Sequence, residues 1–204
     1  MSTSPLERVR IHIPKEMIKY RGKAGKFFKF LPNNQGLTEE YLYYHQSPST
    51  SVIRVFSTSP IHIGVLEDIK SNEEKFKVIN GPAIVVARKG YAGRMYLVED
   101  NKFIVHEDAY ATIPKEKYKD DIDLKWFIGH YSLEFQNNRT SIAGIGDFPR
   151  KRFSRMNIII PKLEYQLDAV KLYDERDVLI KKLISFPLDV ENSIATFTDS
   201  LTKK

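Results

Sequence analysis

The sequence contains no cysteine. That single absence removes disulfide frameworks, zinc–thiolate sites, iron–sulfur clusters and thiol nucleophiles, and it favours a reducing compartment. No stretch approaches the ~18 consecutive apolar residues needed to span a bilayer. The opening MSTSPLERVRIHIPKEM carries charge early and has no continuous apolar segment, so no secretory signal is expected. The chain is read as soluble and cytoplasmic, with no membrane association.

Nucleotide and hydrolase signatures are missing too. There is no G-x-x-x-x-G-K-[ST] phosphate loop. Gly144-Ile-Gly146 lacks the third glycine of a dinucleotide fingerprint, and no G-x-S-x-G elbow supports a serine nucleophile. The histidines His12, His45, His62, His106 and His130 show no close ligand spacing. Neither a metal site nor a cofactor is expected.

What is present is an ordinary globular composition with a basic bias. The chain has 204 residues, is 42% hydrophobic and carries a formal net charge of +6. This suits one domain plus an appendage, or two small domains. Residues 1–30 hold eight cations against two anions, and residues 139–155 hold five cations against Asp147 alone. From Pro161 to Lys204 there are seven cations and eight anions. The asymmetry suggests a basic working part followed by a neutral structural piece, and basic surfaces favour polyanionic partners.

Short β-branched and aromatic runs punctuated by turn residues predict strands over 51–56, 76–79, 83–87, 95–98, 102–106, 110–114 and 156–160. Asp123 is a plausible N-cap for a helix reaching Phe135, with Leu124, Phe127, Tyr131 and Phe135 on one face. A turn-rich basic loop is expected from Asn137 to Arg155. Apolar residues then recur at spacings of three or four from Leu163 to Ile184, predicting a helix interrupted by Asp174 and Asp177 and closed by Pro187. Asp189 to Thr202 reads as a second short helix. The fold class is α+β: a twisted mixed β-sheet with flanking helices, followed by a C-terminal helix for pairing or partner docking.

Two basic clusters stand out. Arg88, Lys89, Tyr91 and Arg94 sit on a two-glycine turn between apolar runs, where a backbone can approach a ligand closely. Phe148-Pro-Arg-Lys-Arg-Phe-Ser-Arg155 places Arg150, Lys151, Arg152 and Arg155 around two aromatics. Cations that neutralise phosphates release counterions, and arginine can present a fork to guanine. The same clusters also fit solvated surface loops. Asp68, Glu73 and Lys75 loosely follow the carboxylate–lysine layout of metal-dependent nucleases, which gives an enzymatic alternative. A protein-interaction domain with incidental basicity is a further one.

The order of motifs adds information. Ile53-Arg-Val-Phe-Ser-Thr-Ser59 is followed by Gly81-Pro-Ala-Ile-Val-Val-Ala-Arg-Lys-Gly90 and Ala92-Gly-Arg94. Then come Phe103-Ile-Val-His-Glu-Asp-Ala109, Asp123-Leu-Lys-Trp-Phe127, Gly146-Asp-Phe-Pro149 and Ile158-Ile-Ile-Pro-Lys-Leu-Glu-Tyr-Gln166. Gly36-Leu-Thr-Glu-Glu-Tyr-Leu-Tyr43 resembles an early segment of some relatives. From Gly36 to Ile184 the series resembles the target recognition domain of restriction–modification specificity subunits, best known from type I systems. It departs from that family in having Pro161-Lys162-Leu163 where two prolines are common, and in having one recognition domain and one helix rather than two of each.

The resemblance implies a half-size subunit or a single recognition module: residues 1–160 as the DNA-binding recognition domain and 161–204 as a helical spacer or dimerisation segment. It implies sequence-specific binding of double-stranded DNA, a modification methyltransferase partner, a restriction subunit, and a homodimer through the C-terminal helix. No Asn/Asp-Pro-Pro-Tyr/Phe methyltransferase signature occurs, so the chain is expected to be non-catalytic. On this reading Ser57, Thr58, Arg88, Lys89, Tyr91, Arg94, Arg139, Arg150, Lys151, Arg152 and Arg155 face DNA.

Overall fold

The computed structural model of the chain describes residues 12–45, 51–68, 74–142 and 145–180. Gly144, Glu73, the end of the last helix at Ile184, the stop at Pro187 and the second helix over 189–202 lie outside these residues.

The six strands expected between residues 51 and 114 join two that were not expected, at 28–30 and 64–67, to form two sheets of four strands each. In the first, β2 (Phe28–Phe30), β9 (Ala109–Pro114), β6 (Ala83–Ala87) and β7 (Met95–Val98) lie side by side and antiparallel. In the second, the order is β4 (Gly64–Glu67), β3 (Val52–Phe56), β8 (Lys102–Val105) and β5 (Val78–Asn80). There β3 and β8 run parallel while the outer pairs are antiparallel, so this sheet is mixed.

The continuous apolar run Ala83–Ala87 is explained by its place in the stack. All five of its residues are buried, because β6 is an inner strand with protein on both faces. On one face, Ala83, Val85, Ala109 and Ala111 meet Phe56, Ile79, Phe103 and Val105 of the second sheet. Small alanines opposite large phenylalanines let the two layers interdigitate. On the other face, Ile84, Val86, Met95 and Tyr110 pack against α3 (Leu124–Asn137) through Phe127, Tyr131 and Phe135. Asp123 caps that helix as expected, its side chain accepting from the Trp126 N–H at 2.7 Å. The outer face of the second sheet is closed by α2 (Glu39–Tyr44), whose Leu42 joins Ile53, Val55, Leu66 and Ile104. The layer order is helix, sheet, sheet, helix.

Besides β2, β4 and the short helices before His45, two further parts of the chain were not anticipated from its pattern. β1 (Ile18–Lys23) pairs antiparallel with β12 (Asn157–Pro161), joining an early segment to the strand before the last helix. The basic segment expected as a loop instead forms a hairpin, β10 (Thr140–Ile142) and β11 (Ile145–Asp147), followed by the short helix α4 (Arg150–Arg155). The cause is Phe148 and Phe153, both fully buried. The two aromatics between the cations are core anchors. The α1 turn (Ala24–Phe27) lies against α4, with Gly25 facing the Ser154 backbone and Cβ.

A helix, α5, spans residues 163–180. Its first turns are tied to the domain by Gln166, which is fully buried. The Gln166 amide donates to Asp121 O at 2.7 Å and Pro161 O at 2.8 Å, and its oxygen accepts from the Asp123 N–H at 2.8 Å. Tyr173 lies over Gly129 of α3, where any side chain would collide with the ring. Among the described residues no helix is long and apolar enough to cross a membrane.

Candidate nucleic-acid interface

The antiparallel register brings several chain segments to one rim of the stacked sheets. β6 ends at Ala87 opposite Ala109, the first residue of β9, and Val86 pairs with Met95, the first residue of β7. The turn 88–94 therefore emerges beside the turn that precedes β9. Arg88 and Lys89 both donate backbone N–H groups to Asp108 O, at 2.8 and 3.2 Å. The parallel pair β3 and β8 ends at the same rim, where the His106 N–H donates to Phe56 O at 2.9 Å.

The turn 88–94 is braced from two further sides. Lys89 bridges to Asp147 of β11, and the Phe148 N–H donates to Arg88 O at 2.8 Å. Gly93 has φ +84°, and a Cβ there would lie 2.7 Å from Phe135 O at the end of α3. Only glycine both adopts that conformation and allows that approach. Gly90, at φ +63°, has open space around it and exposes the tip.

The candidate residues then separate by environment. Tyr91 is 61% exposed, with the Arg94 guanidinium 5.6 Å from its ring centre. Arg139 is exposed, and its side chain lies beside Gly146 of the hairpin. Arg88 and Lys89 are exposed but paired: Arg88 Nε is 3.5 Å from Asp147, and Lys89 Nζ is 2.8 Å from Asp108. Arg150 points inward from α4. It donates to Leu31 O at 3.2 Å and Asn33 Oδ1 at 3.0 Å, and its guanidinium lies over Phe30 and Tyr110. Burial chiefly holds its ionisation below the usual arginine range, the Tyr110 phenol opposes this, and nearby Arg88 adds to the lowering. Ser57 is only 7% exposed, and its carbonyl accepts from the Tyr96 hydroxyl at 2.7 Å, while Thr58 is half-buried. Burial pushes the Tyr96 phenol up, which keeps it a donor at ordinary pH.

Lys151, Arg152 and Arg155 line a concavity of about 380 Å³ together with Asn138, Pro149 and Met156. Arg152 Nη1 donates to Asn138 O at 2.8 Å, which stitches α4 to the C-terminal end of α3. This concavity was not visible in the sequence. It depends on α3 ending where α4 begins, and only the buried Phe153 hints at that.

The carboxylate–lysine reading finds no support among the described residues. Asp68 pairs with Lys102 at 3.2 Å, and the Lys75 ammonium lies 4.0 Å from the Tyr41 ring centre. No cluster of three or more His, Asp or Glu side chains capable of holding a metal occurs among the described residues.

Comparison with known proteins adds an independent line. The family profile described as Type I restriction modification DNA specificity domain matches residues 53–183. No curated protein matches the chain. Among solved structures, the S subunit of a type I restriction–modification system from M. genitalium is similar at a TM-score of 0.59 and 14% identity over 86% of this chain and 43% of its own. The HsdS subunit from Thermoanaerobacter tengcongensis is similar at a TM-score of 0.55 and 12% identity, with 86% of this chain and 41% of that one covered. A chain from a structure described as underlying complex assembly and conformational transition of the type I R-M system gives a TM-score of 0.55 at 12% identity, covering 85% and 41%. The chain thus spans about two fifths of the length of these solved chains.

Proposed function

Since the chain belongs to the family of type I restriction–modification DNA specificity domains, we propose that it binds double-stranded DNA in a sequence-selective way and directs a methyltransferase, and through it a restriction subunit, to the target. The chain itself supplies recognition and no catalysis, and it acts in the cytoplasm, where the DNA is. Residues up to about 160 form the recognition part, and the segment from 161 onward serves pairing or docking. The carrying observation is the convergence of cations on one rim. Turn 88–94, the start of the hairpin at Arg139 and helix α4 meet there, although α3 and five strands separate the turn from α4 in sequence.

Within this reading Tyr91 and Arg94 are the groups best placed to enter a groove. Tyr91 stands exposed at the tip with the half-buried Arg94 beside it, and the base of the turn is fixed by Gly93, Asp108 and Asp147. A rigid base with an exposed aromatic–cation tip suits base-edge or stacking contacts, whereas flanking cations suit phosphates.

The test is binding of a random-sequence duplex across a salt series, followed by selection of bound duplexes from a random pool. Phosphate contacts require log K to fall linearly with log salt. Binding that ignores salt, or a selected pool with no enriched sequence, would sink the proposal.

A further inference from the structure

The rim holds two kinds of cation, and the difference assigns them different work. Arg88 and Lys89, the most conspicuous pair in the sequence, already have carboxylate partners in Asp147 and Asp108. A phosphate approaching them must displace a carboxylate or share the cation with it. A cation already neutralised by a carboxylate brings little net positive charge to the duplex, so it displaces few of the counterions condensed on the DNA and contributes little to salt-dependent affinity. Lys151 and Arg155 are exposed, and among the described residues neither has a carboxylate within ion-pair distance. They line a concavity that has no acidic residue in its wall among the described residues.

Resting on the DNA-binding reading above, we infer that the concavity between the end of α3 and helix α4 is a seat for a backbone phosphate of duplex DNA, held by Lys151 and Arg155 with Arg152 at its wall, while Arg88 and Lys89 position the turn. The seat is preorganised. Phe153, between these cations on α4, is fully buried, with ring contacts to Phe28, Phe30 and Phe135 at 5.7, 5.5 and 5.0 Å between centroids. The C-terminal end of α3 presents carbonyl oxygens, which would repel an anion. Arg152 meets this by donating to Asn138 O at 2.8 Å. One of its five N–H groups is used there, and the others remain for an oxygen in the concavity. Lys151 is a mobile point charge and Arg155 a planar fork, a combination suited to a tetrahedral oxyanion whose exact base sequence is irrelevant.

The experiment compares two double variants of the full chain by fluorescence anisotropy with a random duplex and with the selected duplex. Lys151→Ala with Arg155→Ala should make the dependence of log K on log salt shallower by about 0.9, the value for one lost phosphate contact, equally for both duplexes. Arg88→Ala with Lys89→Ala should change that slope by under about 0.5 while reducing the preference for the selected duplex. Thermal midpoints report folding, and the first pair should leave the midpoint unchanged. An unchanged slope in the first pair, or a loss confined to the selected duplex, overturns the assignment while leaving DNA binding intact. Failure of the unaltered chain to bind any duplex removes the underlying reading instead. Inorganic phosphate supplies the remaining arm: a thermal shift that Lys151→Ala and Arg155→Ala abolish, with the duplex slope unaltered, would make this a free-anion site and also overturn the assignment.

Discussion

Arg150 shows how one residue type serves different ends within a single six-residue helix. Its neighbours Lys151 and Arg155 face solvent, but its own guanidinium is spent on Leu31 O, Asn33 Oδ1 and two aromatic faces. Burying an arginine this way ties the loop after β2 to α4 with charge-assisted bonds. Arg150→Ala leaves both acceptors without that donor and should lower stability by about 1–3 kcal/mol. Urea unfolding checks this, and the salt slope of DNA binding in the folded variant should match that of the unaltered chain. A lowered slope with unchanged stability would instead make Arg150 a phosphate contact. Tyr91 is the opposite case, exposed at a tip with its weight on no core residue. Tyr91→Ala should leave unfolding unchanged and, by removing a contact to base edges in the groove, weaken binding to the selected duplex by about 1–3 kcal/mol. Anisotropy on the selected duplex measures it. The sequence made the turn legible, since an apolar run that stops abruptly at Arg88-Lys89-Gly90 has few other meanings. It could not show which cations are free, because Asp108 and Asp147 reach them from distant strands.

At the scale of elements, the joints between remote segments set stability and its pH dependence. Asp121 accepts from the Lys19 ammonium and from the Tyr20 hydroxyl, tying β1 to the turn that precedes α3. The Lys19 bond first, and the Tyr20 bond second, hold its carboxyl below the usual carboxylate range. A carboxyl depressed in the folded state contributes stability that is present above its unfolded value of about 3.9 and is lost as pH falls through the folded value. The stability gap between the unaltered chain and Asp121→Asn should therefore be constant near neutrality and close as pH drops below about 4. Urea midpoints across a pH series check this, and a gap that persists at low pH would refute it. Gln166 makes a second joint, holding three backbone groups of two loops from inside α5. Gln166→Ala should cost about 1–3 kcal/mol for the polar groups it strands, read by the same unfolding curves. Neither joint was legible. Asp121 and Gln166 are ordinary polar residues in the sequence, and although β1 alternates half-buried Ile18, Tyr20 and Gly22 with exposed Lys19, Arg21 and Lys23, nothing in that pattern names the strand it pairs with. Six of the eight central strands and the Asp123-capped helix were legible because burial leaves a trace, a continuous apolar run in β6 and a spacing of three or four on the helix, whereas β2 and β4 are too short to leave one.

For the whole molecule, the remaining question is what covers α5. Gln166, Ala169 and Tyr173 turn toward the domain, yet Leu167 is 45% exposed, Leu172 56%, Val178 51% and Leu179 59%. The helix therefore shows apolar groups to solvent on sides the domain does not cover, and completing the burial of each half-exposed side chain is worth on the order of 1 kcal/mol. A second copy of the chain is the partner we propose, because a helix paired with its own copy buries the same residues twice. Its consequence reaches the DNA. An isologous pair carries a two-fold axis, so the two rims would read two half-sites of inverted sequence. Sedimentation should then show a dimer at micromolar concentration, and the duplexes selected from a random pool should carry a split palindrome. Leu172→Glu with Leu179→Glu should give a monomer that still prefers one half-site but loses the affinity gained by linking two. If the unaltered chain sediments as a monomer and selects a single undivided sequence, the exposed side of α5 belongs to a different partner, and co-sedimentation with a type I methyltransferase subunit, disrupted by the same two substitutions, would identify it.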